Sequence, residues 1–158
     1  MWHEDDVRLT AEAFDRAAQF IVDEGRPLEV ARFAVHFEDG DLDAVDDELS
    51  DFQNEDGGFG NALEPDLRCP ESSVAATTLA LRILSETGAP PSTDLVENAV
   101  DYLVDAYDTD LCGWVKVPPE VNDHPHAPWW RHPDGEAGND PASDWDLFNV
   151  QVLAQLYD

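Results

Sequence analysis

The strongest constraint in this sequence is an alternation between two kinds of helical segment. Residues 8–24 place Phe14, Ala17, Ala18, Ile21 and Val22 on one stripe, opposed by Glu12, Asp15, Arg16, Gln19 and Asp23, which is the pattern of a helix that buries one side only. Residues 28–37, LEVARFAVHF, are apolar around most of their circumference and predict an enclosed helix. The order then repeats. Residues 41–52 carry a narrow seam of Leu42, Val45, Leu49 and Phe52, while residues 71–86, ESSVAATTLALRILSE, are apolar nearly all round, with Glu71 plus Ser72 or Ser73 placed to cap the start. Residues 93–107 return to a single stripe, and residues 142–157 again read as enclosed. Such alternation requires two concentric layers, because an inner helix meets neighbours on several sides and an outer one meets only the inner ring. The expected fold is all-α, an α/α toroid of about three outer and inner pairs forming one domain over residues 1–158.

The corners between layers repeat as well. LSDFQNEDGGFG at 49–60 follows one outer segment and LVDAYDTDLCGWV at 103–115 follows the next. Each has a leucine, then Gln53 or Tyr107, then Asp56 or Asp110, then glycine and an aromatic, Gly58-Phe59 or Gly113-Trp114, with one extra residue in the second copy. A loop and a proline, Pro70 or Pro141, lead into the following inner segment. In the first copy Gln53 is placed to bridge backbone groups orphaned at neighbouring helix ends. Asp56-Gly57-Gly58 supplies a reversal with positive φ, and Phe59 is expected to drop back between helices as a plug.

Charge limits what the chain can bind. There are 36 acidic residues against 8 Lys plus Arg, a formal net charge of -28. That field repels phosphate backbones and anionic membrane surfaces over roughly 8 Å at physiological ionic strength, which argues against nucleic acid. Spread over nearly every segment, it matches the surfaces of halophilic archaeal proteins, and it makes any single Asp-x-Asp pair uninformative. Cys69 and Cys112 match no CxxC, no signal peptide precedes them and no apolar run is long enough for a membrane span, so a reduced cytoplasmic setting is expected.

The pattern L-x3-Q-x2-D-G-G-F-G in 49–60 resembles the repeat motif of protein prenyltransferases and squalene or terpene cyclases, whose helices form an α/α toroid around a central cavity. The runs QNEDGGFGNALEPDLRCPESS and VPPEVNDHPHAPWW are also similar to an uncharacterised bacterial and archaeal prenyltransferase-like group, so the resemblance covers roughly residues 40–158. It implies a cavity for an isoprenoid or other apolar substrate. The DxDD motif of proton-initiated cyclases is missing; its nearest match, Asp43 to Asp47, lies on an outer segment, which argues against cyclisation by protonation. The resemblance also implies zinc on an Asp-x-Cys pair with a later histidine, which Asp110-Leu111-Cys112 would supply. Because the last segment is an inner one with no outer partner, the toroid is expected to be partial, completed by a missing C-terminal half or by self-association.

Two stretches carry candidate chemistry. In VPPEVNDHPHAPWWRHPDGE at 117–136, His124 and His126, with Asp123 beside them and His132 beyond, suit a divalent metal, and Trp129, Trp130 and Arg131 suit ligand binding; alternatively the prolines fix an extended path, the histidines hydrogen-bond backbone and the tryptophans form a lid. Glu64 and Asp66 flank Pro65 just before an inner helix, with Arg68 beside them, where paired carboxylates can act as general acid and base. The same pair can instead cap that helix or pair with Arg68. The alternative to an isoprenoid-binding protein is a noncatalytic scaffold, or a carbohydrate-active toroid using Glu64 and Asp66, which in an inverting glycosidase would stand roughly 6.5–9.5 Å apart.

Overall fold

The computed structural model describes residues 8–88, 90 and 93–132. Among these the protein is mostly helical, with α1 (Ala11–Glu24), α2 (Pro27–Phe37), α3 (Leu42–Ser50), α4 (Val74–Thr87) and α5 (Asp94–Asp105), and one small antiparallel pair, β1 (Tyr107–Asp108) with β2 (Gly113–Trp114). The helix expected over 142–157 lies outside the described residues.

Local chemistry sets the helix ends. The side chains of Thr10, Asp41, Ser73 and Thr93 accept hydrogen bonds from the first turns of α1, α3, α4 and α5. Pro27 opens α2, where a missing N–H costs nothing, and Gly88 closes α4 in the left-handed region at φ 82°.

Burial is concentrated on α4, which encloses nine residues from Val74 to Thr87, including Ala80, Ile83 and Leu84. It lies against α2, α3 and α5, and α2 in turn lies against α1 and α3. The outer stripes are narrow: α3 buries Val45 and Leu49, and α5 buries Ala99 and Leu103. One expectation needs correction. Among the described residues α2 is not enclosed, since it fully buries only Leu28 and Phe33, and Phe37 is 64% exposed. The helix on its other side, α1, has no buried residue and covers α2 mainly by the packing of Phe14 on Phe33 and Phe37, with ring centroids 6.0 and 5.7 Å away.

The first corner is a dense knot. Phe59 is fully buried; its N–H donates to Thr77 Oγ1 at 2.9 Å and its carbonyl accepts from Ser73 N at 2.9 Å. Gln53 Nε2 donates to Gly57 O at 2.9 Å and to Leu95 O at 3.2 Å, tying the corner to α5. Asp56 Oδ1 accepts from Gly58 N at 3.0 Å and from Ser72 Oγ at 2.6 Å. Of the two glycines only Gly57 has a positive φ, 85°; Gly58 is required for space, because a Cβ there would stand 2.6 Å from Ser72 Cβ and 2.7 Å from the Tyr102 ring. The second corner matches in outline: Tyr107 pairs with Trp114 as Gln53 pairs with Phe59, and Trp114 is buried, with its Nε1 donating to Leu103 O at 2.6 Å. The acid that organises this turn is Asp108, whose Oδ1 accepts from Asp110 N at 2.8 Å and Leu111 N at 2.9 Å, so Asp110 is displaced from the role its alignment with Asp56 suggests.

Truncating Phe59 to Ala should cost about 3–5 kcal/mol, and Thr77→Val about 1–3 kcal/mol through the stranded Phe59 N–H; chemical denaturation measures both, and a neutral Thr77→Val would show that this contact does not hold the corner. The acidic faces predict a salt response. Burial, and then the charges of Asp43 and Asp47, push the Asp46 carboxyl above its ordinary range. The melting temperature should therefore rise from low to molar KCl, and a flat or falling trend would show that surface repulsion is not a destabilising term.

Candidate functional site

The two candidate stretches meet. The loop 61–73, leaving the first corner toward α4, docks on residues 115–132. Leu67 forms an antiparallel bridge with His126, Arg68 N donates to Pro125 O at 3.0 Å, Ala127 N donates to Asp66 O at 2.8 Å, and Ala75 N donates to Lys116 O at 3.0 Å. Beneath this latch Leu67, Cys69, Ala75, Val117 and Val121 form a separate apolar cluster, against which Trp130 packs. The prolines explain the path of 117–132: Pro119 and Pro128 open short 3-10 turns at Pro119–Asp123 and Pro128–Trp130, where an N–H is dispensable. Asn122 completes it, donating from Nδ2 to His132 O at 2.9 Å and accepting from His132 N at 3.1 Å.

On the outward side of the latch, Asp66 neither caps α4 nor is drawn to Arg68: Ser73 is the cap, and Asp66 Oδ1 accepts from Trp130 Nε1 at 2.6 Å. Glu64 is half-buried beside it. Burial, and then the Asp66 charge, push the Glu64 carboxyl above its ordinary range, opposed by Arg82 and Arg26, while a hydrogen bond with Asp66 adds to the rise. The pair is thus differentiated into a carboxyl that retains its proton more readily and a carboxylate fixed by an indole. Trp129 is 65% exposed, Trp130 is half-buried, and the Arg68 and Arg131 side chains lie at the surface nearby in sequence.

Arg26 holds the floor of this region. Its guanidinium binds both Glu29 carboxylate oxygens, at 2.8 and 2.5 Å, donates to the Ala62 and Leu63 carbonyls at 2.9 and 3.1 Å, and lies 5.7 Å from the Phe52 ring centroid. Burial alone would raise the Glu29 carboxyl, but the hydrogen bonds and charge of Arg26 outweigh it and hold the group below its ordinary range.

His126 follows the backbone-bonded alternative, and among the described residues Asp110 and Cys112 join no metal-ligating group with the histidines. Asp110 and Cys112 are exposed on the β1–β2 turn, where Cys112 has φ 53° and its thiol meets Thr109 O at 3.5 Å. His126 Nδ1 is 2.7 Å from the His124 carbonyl, so one of its ring nitrogens is committed to backbone. Among the described residues the potential metal-ligating group is Cys69, Glu71 and His124. Cys69 donates to Glu71 Oε2 at 2.8 Å; burial, then that bond, push its thiol up to about 12, and the same bond holds Glu71 low. Glu71 also lines an open depression of about 400 Å³ shared with Asn54, Asp56, Asn61 and Ser72.

Arg26 and the Cys69–Glu71 contact escape a reading of the sequence, which gives Glu71 only a capping role that Ser73 takes instead. Arg26 had a usable signal, being one of 8 Lys plus Arg residues and standing directly before a helix-opening proline with Glu29 three residues on. Cys69-x-Glu71 had none, because an acid near any cysteine is unremarkable in this composition. No protein-family model, curated protein or solved structure matches the chain.

The raised Glu64 carboxyl has a defined pH consequence. Its proton is bound more tightly in the folded state, so its contribution to stability is present in acid and is lost as pH rises through its folded value. Glu64→Gln, which keeps the hydrogen-bonding shape without the charge, should raise the melting temperature at neutral pH, with the gain shrinking below the ordinary glutamate range near pH 4.5. A loss of stability at neutral pH would refute this account.

Proposed function

We propose that this chain is a prenyltransferase or terpene cyclase-like α/α repeat domain, part of a toroid, that binds a largely apolar ligand of isoprenoid type at the end where α4 begins. The layered packing supports the architecture: α4 is the enclosed helix, with α3 and α5 beside it, and Phe59 and Trp114 plug equivalent corners. The observation that carries the functional part is the junction of Glu64, Asp66 and Trp130, which joins a half-buried carboxyl pushed above its ordinary range, a carboxyl oriented by an indole N–H and an aromatic surface. In this reading Trp129 and Trp130 take the ligand's apolar body, Arg68 and Arg131 face its polar end, and Glu64 and Asp66 act as acid and base. In this reading the net charge of -28 suits a salt-rich cytoplasm and disfavours nucleic acid as a partner. None of the described helices is long and apolar enough to cross a membrane.

The carbohydrate reading is less well supported. Asp66 Oδ1 is engaged by Trp130 Nε1 at 2.6 Å, whereas the base of an inverting pair must be open to a water on the far face of the sugar.

Tryptophan fluorescence and thermal-shift measurements with farnesol and geranylgeraniol, beside a panel of oligosaccharides, test the proposal. Isoprenoid alcohols should quench the fluorescence and raise the melting temperature. Trp130→Ala should weaken binding at least about tenfold, or about 1.4 kcal/mol, and Glu64→Gln should retain binding. Stabilisation by sugars instead would assign the pair to glycoside chemistry, and no response to either panel would leave a noncatalytic scaffold; both results overturn the proposal.

A further inference from the structure

We propose that Cys69, Glu71 and His124 form a binding site for a divalent transition metal, with zinc the best-fitting ion, three protein ligands and a fourth position held by water. The inference does not depend on the ligand proposed for Glu64 and Asp66.

Three donors of different chemistry converge from two segments more than fifty residues apart, their ligand atoms all lying within 4.8 Å of one another. Glu71 Oε2 is the hub, 2.8 Å from Cys69 Sγ and 3.7 Å from His124 Nε2. Ligand atoms around a tetrahedral ion with bonds of about 2.0–2.3 Å stand roughly 3.3–3.8 Å apart. The sulfur–oxygen pair therefore has to open by less than an ångström or so, a movement within reach of Glu71, whose side chain is 45% exposed and can rotate. Thiolate, imidazole and carboxylate together select zinc over calcium or magnesium, which prefer oxygen alone.

The scaffold under these donors is already rigid. Cys69 is 2% exposed, set in the apolar cluster of Leu67, Ala75, Val117 and Val121. His124 is fixed at its backbone, its N–H donating to Val121 O at 3.1 Å and its carbonyl meeting His126 Nδ1 at 2.7 Å. The hydrogen bond from Arg68 N to Pro125 O, between the neighbours of Cys69 and His124, sets the spacing of the two strands without any metal. Preformed spacing lowers the conformational cost of coordination. On binding, the Cys69 S–H bond breaks, its proton passes to solvent and a sulfur–metal bond forms, with no change of oxidation state. Glu71 and His124, with side chains 45% and 34% exposed, leave the carboxylate and imidazole side of the site open to solvent.

Titration of the chelator-treated full chain with Co²⁺ under reducing conditions tests the site. The expected result is one equivalent bound with a thiolate-to-cobalt charge-transfer absorption, displaced by one equivalent of Zn²⁺. The band should persist in Cys112→Ser and vanish in Cys69→Ser. His124→Asn and Glu71→Gln, both at accessible positions, should each weaken binding by at least the roughly 10–100-fold that loss of an outer-shell partner costs. These two variants keep the test valid should Cys69→Ser fail to fold, and helical circular dichroism checks that they fold. Absence of the band, a band that depends on Cys112, affinity unchanged in His124→Asn, or weak cobalt uptake by surface carboxylates without a sulfur band would each overturn the proposal.

Discussion

The rest of the structure hangs from the backbone of Phe59. Its N–H is held by Thr77 Oγ1, its carbonyl by Ser73 N, and Thr77 Oγ1 donates in turn to Ser73 O at 2.8 Å. Every polar group in this buried set is satisfied, so the network rigidifies rather than penalises the core. The same Ser73 caps α4 through Ala76 N. A corner loop and the first turn of the most buried helix are therefore one unit, and the direction in which the chain leaves Gly60 is settled. That direction determines where Glu64, Asp66, Cys69 and Glu71 lie.

Scarcity of cations gives the second constraint. With 36 acids and 8 Lys plus Arg, most carboxylates have only water and counterions to face. Arg26 is placed where one guanidinium can do several things, closing on Glu29, two loop carbonyls and the Phe52 ring, and so joining α2, the end of α3 and the loop that carries Glu64. By contrast Arg82 lies 3.8 Å from Glu86 with both side chains largely in solvent, a contact of small energetic weight. The difference between these arginines is burial rather than charge.

What could be read in the sequence follows from periodicity. The enclosed character of α4 and the one-sided faces of α3 and α5 were legible because apolar spacing records which side meets protein. The same reasoning overstated α2: a run of apolar residues records capacity to be buried, and α1 covers it with little more than Phe14. Gln53, Gly57 and Phe59 were legible as a corner because a reversal demands those residue types. Asp110 was misplaced because the second copy carries an extra residue and the turn is organised by Asp108. The contacts of Asp66 with Trp130 and of Glu71 with His124 were beyond reach, since no local pattern encodes which distant loop a segment will meet.

That meeting has its own logic. From the Leu67–His126 bridge the chain runs extended, so side chains alternate: Leu67 and Cys69 turn into the apolar cluster and Arg68 turns outward, while Asp66 leaves the preceding turn, closed by Leu67 N on Glu64 O, toward Trp130. One short stretch thereby delivers a thiol to the inside and a carboxylate to the outside of the same latch. Loss of the latch would separate Asp66 from Trp130 and Cys69 from His124 together. The backbone pairing of Leu67 with His126 and of Arg68 with Pro125 is therefore shared by the segment that carries the Asp66–Trp130 contact and the one that carries Cys69.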